Sequence, residues 1–173
     1  MISGNKVIPS MGFGLWKISQ EDCATAVYNA IKEGYRHLDS ASDYGNEKQV
    51  GAGIKLAIED GLGSREDLRV TSKWWNSFHA KEDGELDLQK SLEDLQLDYL
   101  DLYLIHFPIA SKFIPIETRY PPEWIADPDG PNPRLELASV PLMETWQAME
   151  AVYAKGLAKQ IGVCNYNSGL LHD

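Results

Sequence analysis

The chain has 173 residues, of which 43% are hydrophobic and 24% charged, so collagen-like, low-complexity and disordered classes are excluded. Sixteen Lys and Arg against 26 Asp and Glu give a net charge of −10, which argues against nucleic-acid or anionic-membrane partners. No apolar run approaches the roughly 18 residues of a membrane span, and no signal-peptide pattern opens the chain, so we expect a cytoplasmic protein. Cys23 and Cys164 are too few for a disulfide framework and lack metal-ligand spacing.

The first half of the chain alternates short strands with amphipathic helices. Residues Val7–Trp16 predict an opening hairpin or strand pair. Ser19 is a predicted N-cap, with Asp22 three residues later, and Gly34 is the predicted C′ glycine of the same helix. The remaining predicted elements of this half are a strand at 35–38, a helix at 47–59 that is weakened by Gly51 and Gly53, and a strand at 68–73.

The second half continues the same alternation. A helix over 84–96 has Leu88, Leu92 and Leu95 as its inner stripe, and the apolar run at 102–105 predicts a strand buried on both faces. Pro141 opens a last helix, and a strand at 161–164 closes the series. The side chains that this last helix is expected to bury are Leu142, Trp146, Met149 and Val152. About five strands alternating with four helices predict right-handed βαβ crossovers and a parallel sheet in a single domain spanning 1–173.

Residues 107–140 interrupt this alternation of strands and helices. Eight of the nine prolines lie between Pro108 and Pro141, and no helical or strand period holds across the segment. Loops of this length in compact domains are usually functional or disordered, and this loop leaves the C-terminal end of a buried strand, where α/β active sites form. Its aromatic and aliphatic side chains, Tyr120 and Trp124 among them, favour a lid over a loosely attached insertion.

Polar residues follow the predicted strands: Asp39, Lys73, His106 and Asn165. Parallel α/β folds collect these strand ends on one face, and Tyr44 lies in the loop after the second strand. A Lys73 cation beside the phenol would bring the pKa of Tyr44 down from its usual value near 10, and Asp39 would hold Lys73. His106 could orient a substrate carbonyl. This set predicts proton transfer during carbonyl reduction, with the hydride supplied by a cofactor.

Other interpretations of the same residues remain open. Lys73 could be a surface cation or the nucleophile of a Schiff-base lyase, and Asp39 could cap the following loop. His106 could be a core histidine. Gly12-Phe13-Gly14 is only a fragment of the dinucleotide fingerprint, so a nicotinamide would bind without a Rossmann loop.

Four stretches resemble motifs of the aldo-keto reductases and occur in that family's order. They are DSASDYGNEKQVG (39–51), Thr71-Ser72-Lys73, DYLDLYLIHFP (98–108) and GLAKQIGVCNYN (156–167). The opening SGNKVIPSMGFGLWKI, the loop stretch IPIETRYPPEW and Phe107 are most similar to the xylose reductase branch. The resemblance implies a (β/α)8 TIM barrel that uses NADPH, or NADH, and no metal to reduce a small-molecule carbonyl such as an open-chain sugar aldehyde, as a monomer or homodimer.

The resemblance also implies roles for individual residues. Tyr44 matches the family's proton donor, Asp39 and Lys73 the pair that tunes it, and His106 the residue that orients the carbonyl. The implied substrate-binding residues are Trp16, Asp43, Trp75, His106 and Phe107, and the implied cofactor-binding residues are Trp16, Asp39, Lys73, Cys164 and Asn165. Cys164 stands where the family usually has Ser, and a thiol is a weaker hydrogen-bond donor.

The family's barrel has eight strands, whereas this chain reaches Asp173 after an opening hairpin and about five βα units. We therefore expect an N-terminal part of a longer reductase, with open edges on the first and fifth strands. The alternatives are a barrel fragment without activity of its own and a non-catalytic nucleotide-binding subunit.

Overall fold

The computed structural model describes residues 9–172, in which strands and helices alternate along the chain. The strands are β1 (Phe13–Gly14), β2 (His37–Asp39), β3 (Arg69–Trp74), β4 (Leu102–Ile105) and β5 (Ile161–Val163). The helices are α1 (Gln20–Lys32), α2 (Glu47–Glu59), α3 (Gly84–Leu95) and α4 (Leu142–Ala154). Short 3-10 turns lie at Ser42–Tyr44, Arg65–Asp67 and Asn76–Phe78. The predicted alternation is therefore confirmed in the described residues.

The five strands form one parallel sheet in the order β1-β2-β3-β4-β5. Each strand pairs in parallel with the next one along the chain, as in the registers Leu38↔Val70 and Ile105↔Val163. Right-handed crossovers that always advance in one direction place every connecting helix on the same face of the sheet, as in a (β/α) barrel. A doubly wound sheet would instead reverse its strand order. Between residues 9 and 172, β1 and β5 each pair on one side only.

The opening of the chain differs in part from its prediction. Residues 7 and 8 of the predicted strand pair lie outside the described residues. Phe13–Gly14 forms β1, which pairs in parallel with β2 through Phe13↔Leu38 and so belongs to the main sheet. The α1 boundaries agree with the sequence: the Ser19 hydroxyl accepts a hydrogen bond from the Asp22 N–H at 3.1 Å, and Gly34 adopts a positive φ of 98° after the helix.

The two faces of the sheet are buried to different extents. On β4, Tyr103 and Ile105 are almost fully buried, whereas Leu102 and Leu104 are only half-buried. The prediction of a strand buried on both faces is therefore wrong for β4. Tyr103 and Ile105 belong to the face covered by the helices, and five strands leave the opposite face without a complete opposing layer in residues 9–172.

Helix α4 buries a different face from the one predicted. Met149 and Val152 are buried as predicted, but Leu142 and Trp146 are only half-buried. Thr145 takes a buried position because its hydroxyl donates a hydrogen bond to the His79 carbonyl at 2.9 Å.

No helix within residues 9–172 has the length and apolar character needed to cross a membrane.

Two glycines of α2 lie where neighbouring helices approach most closely. A Cβ on Gly51 would lie 2.5 Å from the Leu95 carbonyl oxygen at the end of α3, and a Cβ on Gly53 would lie 2.6 Å from the Ala24 carbonyl oxygen of α1. Both obstructions are backbone atoms, which cannot rotate away. The glycines that weaken the helix prediction therefore permit α2 to pack against both neighbours.

Gly51→Ala is expected to destabilise the chain by about 2 kcal/mol, although alanine favours helix by about 1 kcal/mol, because overpacking against backbone costs more than the propensity gains. Urea unfolding followed by circular dichroism measures the difference. Lys55→Ala, on the exposed face of α2, is the control and should change the free energy of unfolding by less than about 0.5 kcal/mol. A stabilised Gly51→Ala variant would contradict this packing argument.

The long segment between β4 and α4 has an organised base. The Ser111 N–H donates to the Asn76 carbonyl at 2.9 Å, and residues 111 and 137 form an isolated antiparallel bridge. This bridge joins the outgoing and returning parts of the segment. Its tip packs back on the protein, since the Trp124 ring lies 5.1 Å from the Trp75 ring and 4.9 Å from the Phe107 ring. The segment therefore lies beside the C-terminal ends of β3 and β4.

Candidate active site

The structure brings the predicted polar residues together at the C-terminal edge of the sheet. Asp39 is the last residue of β2, Lys73 is the penultimate residue of β3 and His106 directly follows β4. Asn165 lies two residues beyond β5, and its Nδ2 donates to the His106 carbonyl at 2.7 Å. Asp39, predicted to follow its strand, is instead the last paired residue of β2, and β3 continues to Trp74, one residue beyond the predicted strand end at Lys73.

Lys73 is at the centre of this cluster. Its Nζ lies 2.8 Å from Asp39 Oδ1 and donates hydrogen bonds to the Ser40 carbonyl at 2.7 Å and the Tyr44 Oη at 3.0 Å. These partners account for all three N–H donors of a protonated lysine. Burial favours a lower pKa for Lys73, but Asp39 and Tyr44 outweigh it and raise the pKa above its usual value. Lys73 is therefore a cation at neutral pH, which is unsuitable for a Schiff-base nucleophile.

Tyr44 is held by the turn that carries it. The 3-10 turn Ser42–Tyr44 ends at Gly45, which has a positive φ of 69°. Next to it, the Asn46 side chain donates hydrogen bonds to the Leu15 carbonyl at 3.0 Å and the Ile18 carbonyl at 3.1 Å, which ties this turn to the loop after β1.

The pKa of Tyr44 differs from its prediction. Burial raises this pKa, while the hydrogen bond and charge of Lys73 lower it, and the net direction is upward from 10.0. Lys73 therefore acts in the predicted direction without bringing the pKa toward neutral. The phenol consequently remains protonated at neutral pH, the state from which it can donate a proton.

His106 is enclosed by acidic and aromatic neighbours. Its Nδ1 lies 3.1 Å from Asp43 Oδ1, and both side chains are largely buried. The Phe107 ring stacks on the imidazole with centroids 4.6 Å apart, and the Trp75 ring makes an edge contact at 5.4 Å. The Tyr44 ring lies 6.0 Å from the imidazole, so a substrate oxygen could approach both side chains at once.

A cavity of about 330 Å³ opens beside this cluster. Asp43 and Trp75 line it from the sheet side, and Pro122, Glu123 and Trp124 line it from the long segment. The Trp75 indole N–H also donates to the Glu123 carbonyl at 3.4 Å. The predicted pocket residues Asp43 and Trp75 thus lie against the segment that was predicted to be a lid.

Two predicted binding residues, Trp16 and Cys164, lie at the edge of the cluster and make few contacts with its other members. Trp16 is 64% exposed, and its ring contacts the Lys17 ammonium at 4.4 Å. Its neighbour Leu15 donates a backbone hydrogen bond to Asp39, which places Trp16 at the same edge of the sheet. Cys164 is half-buried, and its Sγ lies 3.3 Å from the Asn165 Nδ2.

Sequence reasoning missed two buried carboxylates beneath the site. Glu47 at the start of α2 accepts a hydrogen bond from the Ser72 hydroxyl at 2.7 Å, and Asp87 on α3 accepts one from the Trp75 N–H at 2.9 Å. Burial raises the pKa of each to about 7. Asp87 lies beside the apolar stripe of its helix, directly before Leu88, and that position was the available signal. No cluster of metal-ligating side chains occurs within the described part of the chain.

Comparison with known proteins places these features in a family. Residues 10–173 match the model of the Aldo/keto reductase family. The chain is 52% identical over 172 residues to the NAD(P)H-dependent D-xylose reductase of Pachysolen tannophilus, covering 99% of this chain and 52% of that protein. It is 51% identical over 166 residues to the NAD(P)H-dependent D-xylose reductase I,II of Candida tropicalis, covering 96% of this chain and 50% of that protein.

Solved structures agree with the sequence comparison. The aldose reductase from Schistosoma japonicum superposes with a TM-score of 0.87 at 36% identity, covering 96% of this chain and 52% of that one. The Bombyx mori aldo-keto reductase in complex with NADP gives a TM-score of 0.79 at 40% identity, covering 96% and 51%. The chain spans about half the length of the relatives it matches.

Proposed function

The chain belongs to the aldo/keto reductase family, and from that premise we propose that it carries the proton-transfer site of an NAD(P)H-dependent aldehyde reductase. The observation that carries the proposal is the Lys73 ammonium, which bridges Asp39 Oδ1 at 2.8 Å and Tyr44 Oη at 3.0 Å. A protonated phenol beside a fixed cation can give up its proton and leave a stabilised phenolate. An open-chain sugar aldehyde is the substrate class we favour, since matched relatives are D-xylose reductases.

The residues present fit a nicotinamide at the same edge of the sheet. Asn165 is oriented by its Nδ2 hydrogen bond to the His106 carbonyl, and its Oδ1 accepts no hydrogen bond from residues 9–172. A side-chain amide with a free acceptor is complementary to the carboxamide of a nicotinamide ring. When bound, NADPH or NADH supplies the hydride that no side chain can provide. Asn165 would hold the carboxamide, with Cys164 as its neighbour.

The protein's own groups then account for the rest of the reaction. His106 and Tyr44 would hold the carbonyl oxygen between them, with His106 fixed by Asp43 and Phe107. As negative charge develops on that oxygen, Tyr44 Oη donates its proton and the Lys73 cation stabilises the phenolate. Asp39 keeps Lys73 in place, and solvent returns a proton to Tyr44. The segment carrying Trp124 would cover the cavity and exclude water as a lid.

The test is aldehyde-dependent oxidation of NADPH and NADH, followed at 340 nm with D-xylose. It uses the intact gene product, meaning the whole protein encoded by the gene from which this chain is read. We expect turnover with D-xylose and none without an aldehyde. Absence of turnover with both cofactors across a panel of sugar and aliphatic aldehydes would overturn the proposal. Borohydride reduction in the presence of substrate should leave the mass of Lys73 unchanged, whereas trapping would favour the lyase.

A further inference from the structure

A carboxylate is buried on the inner face of α3, where only apolar packing was expected. Asp87 is 0% exposed and lies one residue before Leu88, the first member of the predicted apolar stripe. Burying a carboxylate is costly unless hydrogen bonds compensate for the water it loses. Asp87 Oδ2 is 2.9 Å from the Trp75 N–H and 3.2 Å from the Tyr103 hydroxyl, and both groups donate to it.

The bond to Trp75 occurs where the chain leaves the sheet. Strand β3 ends at Trp74, whose carbonyl accepts a hydrogen bond from the His106 N–H at 3.0 Å. The Trp75 N–H lies beyond the last strand pairing and uses the Asp87 carboxylate as its acceptor instead. Because the hydroxyl of Tyr103 on β4 shares that carboxylate, Asp87 joins the end of β3 to β4 and α3.

The Trp75 side chain connects this backbone attachment to the candidate site. Its ring lies 5.4 Å from His106, 6.0 Å from Phe107 and 5.1 Å from Trp124 of the long segment. The ring is almost fully buried, so its position depends on where the backbone of residue 75 is fixed. A shift of that backbone would move one wall of the cavity and the surface on which Trp124 packs.

We propose that Asp87 is a positioning residue that fixes Trp75 as the wall between the imidazole of His106 and the long segment over the cavity. The expected effect on KM rests on the proposed reductase function, whereas the expected effect on the position of Trp75 does not. Within the described residues, Asp87 forms no hydrogen bond or ion pair with Lys73 or Tyr44. Its loss should therefore weaken substrate placement more than proton donation.

The kinetic test compares Asp87→Ala, Asp87→Asn and Leu88→Ala in the intact gene product with D-xylose and NADPH. In Asp87→Ala we expect KM to rise about tenfold and kcat to fall by a smaller factor, since the Trp75 N–H loses its hydrogen-bond acceptor. Asp87→Asn keeps an oxygen acceptor for the Trp75 N–H and should restore KM to within about threefold of wild type. Leu88→Ala creates a cavity at an equally buried position without removing that acceptor, and should leave KM unchanged.

A second measurement does not depend on turnover. The close packing of Trp75 and Trp124 should give a near-ultraviolet circular dichroism signal that Trp75→Phe removes. We expect Asp87→Ala to lose the same signal, Asp87→Asn to retain it, and the Asp87→Ala/Trp75→Phe double variant to lose no more than Trp75→Phe. An unchanged spectrum in Asp87→Ala, an equal loss in Leu88→Ala, or an Asn variant as impaired as the Ala variant would overturn the proposal. Absence of wild-type turnover with these spectra as expected would instead refute only the reductase function.

Discussion

Tyr44→Phe in the intact gene product is expected to lower kcat for aldehyde reduction by about 10³-fold or more while leaving the Kd for NADPH within about twofold. The phenol oxygen lies 3.0 Å from the Lys73 Nζ, and phenylalanine keeps the ring but removes the transferable proton. Burial keeps the pKa of Tyr44 above 10, so the wild-type acid is fully protonated through the neutral range. The wild-type rate should accordingly be insensitive to ionisation of Tyr44 below about pH 9.

Stopped-flow and steady-state kinetics measure the loss, and quenching of tryptophan fluorescence by NADPH measures cofactor affinity. Tyr28→Phe is the matched control, because its hydroxyl bonds Asp60 at 2.9 Å on the exposed surface of the molecule, away from the cluster. That variant should retain wild-type kcat. A Tyr44→Phe enzyme with more than about a tenth of wild-type turnover would refute the assignment of Tyr44 as the acid.

Hydrophobic periodicity predicted the order of the elements, because each helix and strand buries a face that the sequence marks locally. The predicted strand ends were less accurate: β2 includes Asp39 and β3 continues past Lys73 to Trp74, since pairing with a neighbouring strand can extend beyond the apolar pattern. Gly51 disfavours helix by its intrinsic propensity, yet α2 forms through it, because only glycine leaves room for the Leu95 carbonyl of α3. Such contacts between distant segments leave no periodic signal in a single sequence.

The structure brings residues that the sequence singled out close together, but it also shows contacts around them that the sequence did not indicate. Strand-end position identified Lys73 and His106, and the family resemblance added roles for Asp43 and Trp75. The attachment of Trp75 to Asp87 could not be predicted, because it joins the end of one strand to a helix twelve residues further along the chain. The direction in which the pKa of Tyr44 shifts could not be predicted from the sequence either. It depends on how strongly burial raises this pKa compared with how strongly Lys73 lowers it.

Lys73→Met is expected to lower kcat by about 10²-fold, because methionine fills similar space but supplies no charge to the developing phenolate. The variant should fold, since the Asp39 side chain that it leaves unpaired is 40% exposed and can be hydrated. Without the lysine, the contributions that lower the pKa of Tyr44 disappear, so this pKa should rise further. The alkaline decline in rate caused by ionisation of Tyr44 should therefore move to higher pH, which a pH profile of kcat measures.

The decisive comparison is the double variant Tyr44→Phe/Lys73→Met. If Lys73 acts through the phenol that it bonds at 3.0 Å, its removal should cost little once that phenol is absent, and the two losses should not add. Additive losses would mean that Lys73 contributes to the reaction independently of Tyr44. A lyase that uses Lys73 as its nucleophile would give a third pattern, in which Lys73→Met abolishes turnover and Tyr44→Phe does not. The cycle thus separates a lysine that tunes an acid from one that attacks the substrate.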